Sequence, residues 1–273
     1  MGNVLEESLF SKQPKQFESI SAVAKAFAAN YCGTTIVRDS IFGIAENYAR
    51  KRELTLEVLR YPFKDDELWA FTFVKKGTIF LCVNSELALC KQIFAVAHEL
   101  YHIHYYAEDI DPDTIASGSL LDSKTADDMA VTQEDLEANA FAGLLLMPES
   151  ILDEQIKIYG IAGDKIAVDD VLVLMELFAL PYKAVVLRLV ENHNISSSKA
   201  KELLEYDSDY VSERIRLTGK ALTWQQNSKE ISYFGSLLAN MEYNKEQDLL
   251  IESREKSDME YLETIRKGFL CEG

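Results

Sequence analysis

Residues 16–30, QFESISAVAKAFAAN, place apolar side chains every three or four positions, the spacing of one helix face. The pattern changes at 68–84, LWAFTFVKKGTIFLCVN, where two β-prone runs flank Lys75, Lys76 and Gly77, a hairpin signal. Asn84 or Ser85 is placed to cap the next element, and from Leu87 to about Tyr106 the pattern is helical again. The acidic stretch that follows, 107–131, has Lys124 as its only base and lacks a clear period. Loops of that length are often functional or disordered, and a solvated excursion is the simplest reading. Thr132 with Asp135 three residues on resembles a capping box, so a helix should start near Gln133 and stop at Pro148. Residues 168–193 read as two helices joined by a turn at ALPYK. The last fifty residues are polar, acidic and largely helical, with Met259, Leu262, Ile265 and Phe269 spaced to form one docking stripe.

Composition narrows the class. At 273 residues, 48% hydrophobic and 27% charged, the chain is ordinary globular material, long enough for a substantial core. Cys32, Cys82, Cys90 and Cys271 form no CxxC pair, which argues against a disulfide framework and suits a reducing cytoplasm. No signal peptide or membrane span is expected. A net charge of −17 argues against a nucleic-acid partner, and residues 161–223, with eight Lys or Arg against ten Asp or Glu, hold no basic patch.

The chemistry concentrates at HELYH, residues 98–102, in a chain with four histidines. Side chains four apart on a helix stand one above the other, so His98 and His102 can converge on one ion. Glu99 lies about 100° around the helix, beside the ion, where a carboxylate can take a proton from water and later return it to a leaving amine. These are the residue types and spacing of the zincin metallopeptidase helix. A shuffled chain of this composition would contain the pattern with odds on the order of one in two hundred, so a third ligand matters. Glu137 shares a stripe with Phe141, Leu144 and Leu145, and a carboxylate among apolar neighbours is costly without a partner. Ala138 and Ala142 are small enough to let its helix approach the HELYH helix. Glu134, one turn earlier, is the rival, more simply read as solvated and favoured by the helix dipole. Glu137 is therefore the expected third ligand, leaving an open position for catalysis. His104 points to another face, and His193 is read as a helix C-terminal residue.

FLCVNSEL, then IFAVAHELYH, then EDLEANAFAGLLLMP resemble the ImmA/IrrE family of zincin-like metallopeptidases. LMELFALPYKAVVLRLVENHNI is similar to the helix–turn–helix-like region that follows the peptidase core in that family. The resemblance covers roughly 65–195. With the patterns along the chain, it leads to the expectation of an α+β, helix-rich fold: a zincin-like core at 1–160, a helix–turn–helix-like helical region at 161–223 and an acidic helical extension at 224–273. It implies one Zn2+ per chain held by His98, His102 and Glu137, with Glu99 as general base. It also implies site-specific cleavage of a repressor-type regulatory protein, switching on a mobile-element or stress response. Tyr101 stands where the family usually has Gly, and is expected to pack into neighbouring core. The hairpin strand 78–84, if an edge, is a candidate site for an added substrate strand. Two other readings remain: a metal-containing module that sequesters a partner without cleaving it, and a DNA-binding regulator acting through 168–193. Mn or Fe in place of Zn is compatible with the same ligands.

Overall fold

The computed structural model describes residues 4–65, 67–106, 132–161, 163–227 and 233–268. The acidic stretch 107–131, Phe269 and Cys271 lie outside them, as does the side chain of Ile265. After two one-turn helices, Val4–Glu7 and Leu9–Lys12, the order is α1 (Pro14–Tyr31), α2 (Ile41–Lys51), β1 (Thr55–Tyr61), β2 (Ala70–Lys75), β3 (Thr78–Asn84) and α3 (Leu89–Tyr106). Then follow α4 (Gln133–Leu146), α5 (Glu149–Tyr159), α6 (Val168–Phe178), α7 (Tyr182–Glu191), α8 (Ser197–Leu204) and α9 (Ser208–Thr218). The short helix Leu222–Gln225 leads to β4 (Tyr233–Phe234), α10 (Leu237–Glu246) and α11 (Glu252–Gly268).

The hairpin forms where the turn chemistry dictates. Lys75 pairs with Thr78, and Lys76 and Gly77 have φ of 52° and 77°. Positive φ at both central residues is a type I′ turn, whose twist matches that of the flanking strands. The sheet is larger than the hairpin: its order is β2-β3-β1-β4, with β1 parallel to β3 and β4 antiparallel to β1. β3 is thus an interior strand, so it offers no free edge for an added peptide; among the described residues β2 and the two-residue β4 are the outer strands.

Val58, Ala70, Thr72, Ile79, Leu81 and Val83 alternate onto one buried face of the sheet, which meets α2 and α3. α3 packs on α4, and α4 on α1. α3 and α4 are buried on nearly every side, which explains why apolar residues surround their few polar ones. Helix α3 begins two residues later than the pattern suggests, and Asn84 does not cap it. The Asn84 side chain is fully buried and ties the preceding loop instead, accepting from Phe63 N and Glu86 N and donating to the carbonyls of Asp65 and Leu68. The start of α4 follows its signal: Thr132 Oγ1 accepts from Asp135 N at 3.1 Å, and Asp135 Oδ2 accepts from Thr132 N at 3.1 Å. At the other end Arg188, from α7, donates to the carbonyl of Met147 at 3.1 and 3.3 Å and to Glu191 at 2.8 Å. Arg188 and Glu191 are both buried. This pair fixes the end of the helix whose start faces HELYH. No helix among the described residues is long and apolar enough to cross a membrane.

Candidate metal centre

The two histidines of HELYH converge as their spacing requires: His98 Nε2 and His102 Nε2 lie 3.2 Å apart. The carboxylate beside them belongs to Asp135, not to Glu137. Asp135 Oδ1 is 3.9 Å from His98 Nε2 and 3.8 Å from His102 Nε2, and these three residues form the one group of potential ligands found among the described residues. The two oxygens of Asp135 divide the work. Oδ2 closes the capping box with Thr132, and Oδ1 faces the imidazoles. Asp135 sits on the first turn of α4, so its placement follows from where that helix starts.

Glu137 points elsewhere. Its carboxylate accepts from Tyr101 Oη, from Gln16 Nε2 at 3.0 Å and from Gln133 Nε2 at 2.8 Å. A carboxylate in that apolar stripe does need partners, and phenol and amide donors supply them. Tyr101 is buried, with its ring 5.6 Å from Phe141 and 4.7 Å from Tyr105, so the bulky residue beside the second histidine is core, as expected. Glu134 is exposed on the first turn of α4. His104 belongs to another face, where its Nδ1 meets Tyr48 Oη at 3.1 Å. His193 follows the C-cap of α7 with φ of 56°.

Asn139 completes the arrangement, with its Oδ1 3.1 Å from His98 Nδ1. Neither Asp135 nor Asn139 was singled out from the sequence as part of the site. The available signal was their spacing: four apart on α4, the same interval that sets His98 over His102 on α3.

Burial shapes the electrostatics. Desolvation, helped by neighbouring His102, lowers the His98 pKa to about 4, against the opposing effects of Glu99 and Asn139. His98 is therefore neutral at physiological pH and offers a lone pair. Glu99 is buried, and its charge acts on both His98 and Cys82 of β3. Burial pushes Cys32 up to about 11 and Cys82 and Cys90 to about 12, so these thiols stay protonated at neutral pH.

These residues suit a metal ion. Donors sharing one tetrahedral zinc at 2.0–2.2 Å lie about 3.3–3.5 Å apart. The imidazole pair already has that spacing, and Asp135 Oδ1 stands about half an ångström beyond it. Two imidazoles and one carboxylate form a borderline donor set of the kind used in catalytic zinc sites, which keep a fourth position open.

A helix bearing HELYH, set against a small sheet and faced by a carboxylate-bearing helix, defines a zincin-like metallopeptidase fold. The family model for the IrrE N-terminal-like domain, a peptidase family, matches residues 52–190, and the chain belongs to that family. No curated protein matches the chain.

Proposed function

We propose that this protein is a zinc-dependent endopeptidase in which His98, His102 and Asp135 hold the ion and Glu99 is the general base. The observation that carries the reading is the convergence of both HELYH imidazoles and one buried carboxylate within ligand distance of one another, beside a buried Glu99. Zinc, when bound, acts as a Lewis acid that polarises a scissile carbonyl and lowers the pKa of water. The chain's own residues do the rest. Glu99 accepts a proton from the attacking water and returns it to the departing amine, leaving two carboxyl- and amino-terminal fragments. Asp135 is held at the start of α4 by its capping bonds with Thr132, and the hydrogen bond from Tyr101 to Glu137 ties α3 to α4.

The substrate we propose is a repressor-type regulatory protein, cleaved at one site in the cytoplasm to switch on a mobile-element or stress response. Family membership supports a protein substrate, and a net charge of −17 favours approach by a basic partner such as a DNA-binding protein. The mostly buried α7 supports a packing role for the 168–193 helices over DNA reading. The protonated, unpaired thiols Cys32, Cys82 and Cys90 suit a reducing compartment.

The test compares cells making the wild type with cells making Glu99→Gln, by labelling newly formed protein N-termini. A new N-terminus in one regulatory protein, present with the wild type and absent with Glu99→Gln, is the expected result. The same N-terminus in both, with zinc retained by the variant, would refute Glu99 as base.

A further inference from the structure

We infer that Asn139 is a positioning residue that fixes the tautomer and ring orientation of His98, so that α4 supplies both a ligand and the group that aims another ligand. The inference rests on the metal site proposed above, but its first test does not need the metal. A neutral imidazole carries one N–H and one lone pair, and which nitrogen holds the proton is set by the partner of the other. His98 Nδ1 lies 3.1 Å from Asn139 Oδ1, a carboxamide oxygen that can only accept. Nδ1 must therefore carry the proton, and the lone pair falls on Nε2. That is the nitrogen 3.2 Å from His102 Nε2 and 3.9 Å from Asp135 Oδ1.

The geometry gives this contact leverage. His98 and Asn139 are both buried, so water competes poorly for Nδ1. Asp135 and Asn139 lie one turn apart on the same helix, and the capping box at Thr132 anchors that turn. The spacing of ligand and orienting acceptor is thus set by a single rigid element. Groups that orient a metal-bound histidine through its second nitrogen are typically worth about 10–100-fold in metal affinity.

The experiment uses the full chain, metal-free and labelled with 15N-histidine. A long-range proton–nitrogen correlation spectrum reads the His98 tautomer directly. The expected result is a protonated Nδ1 and a bare Nε2 in the wild type. Asn139→Ala should release that preference and weaken zinc binding about 10–100-fold in competition with a chromophoric chelator. Asn139→Asp keeps an acceptor at the same place and should restore both the tautomer and most of the affinity. A wild-type His98 protonated on Nε2 overturns the inference without any variant. So does an Asn139→Ala protein with unchanged tautomer and affinity, or equal loss of affinity in the Ala and Asp variants with the tautomer unmoved. If the wild type shows the expected tautomer but takes up no zinc, the proposed function fails while the orienting contact stands.

Discussion

Replacing Glu191 with Leu should destabilise the protein far more than its distance from HELYH suggests. The carboxylate and the Arg188 guanidinium are each 3% exposed at the side chain and 2.8 Å apart. Removing one partner leaves an uncompensated buried charge, which typically costs about 3–5 kcal/mol. Met147 O remains as an acceptor for Arg188, but a neutral carbonyl recovers only about 1 kcal/mol of that loss. With about 2–4 °C per kcal/mol for a domain of this size, the net loss of about 2–4 kcal/mol should lower the melting temperature by roughly 4–16 °C. The pair itself need not be stabilising. Burial raises the Glu191 pKa against the pull of Arg188, so desolvation outweighs the attraction. A carboxylate raised in the folded state contributes stability that is present at acid pH and lost as pH rises through its folded pKa. The double variant Arg188→Met/Glu191→Leu should accordingly recover to within about 1–2 kcal/mol of the wild type, the remainder reflecting the unbonded Met147 carbonyl. Urea unfolding of the four metal-free proteins gives the double-mutant cycle. A Glu191→Leu protein within 1 kcal/mol of wild type, or a double variant no more stable than the worse single one, would refute this reasoning.

Two further outcomes follow from the same packing and from the site. At Gly143 a Cβ would stand 2.9 Å from Arg188 Cδ and 3.5 Å from its Cγ, and the guanidinium is held at its far end. Gly143→Ala should therefore cost about 1–3 kcal/mol of strain, offset by about 1 kcal/mol of helix propensity, for a net loss in urea unfolding; a clear gain would contradict the contact. His98, with its pKa lowered from 6.5 to about 4, contributes stability that is complete above pH 6.5 and is lost as pH falls toward 4. Metal-free wild type should lose stability across that window more steeply than His98→Gln, and parallel profiles would show that His98 is not buried neutral.

Much of this arrangement was legible from residue spacing because its causes are local. HELYH aligns its histidines through helix geometry alone, the Lys76–Gly77 turn specifies its hairpin, and Thr132 with Asp135 marks the start of α4. The rest depended on partners distant in sequence. β1 joins β3 as a parallel strand, and no local signal says which side of the hairpin it will occupy. The third carboxylate turned on the rotation of α4 about its axis. Glu137 and Asp135 lie about 160° apart around a helix, so the choice between them is set by which side faces α3's histidines. An all-round buried helix carries no polar face to reveal that rotation. Asp135 also had a sufficient explanation as a cap, which hid its second oxygen.

Asp135 is the proposed third ligand, and zinc content distinguishes it from Glu137. Mass spectrometry on purified wild type, Asp135→Ala, Glu137→Ala and Thr132→Ala separates ligand loss from cap loss. One zinc per chain in the wild type, kept in Glu137→Ala and Thr132→Ala and lost in Asp135→Ala, is the predicted result. Zinc kept in Asp135→Ala and lost in Glu137→Ala, or no zinc in wild type supplied with the metal, would rule out Asp135 as the third ligand.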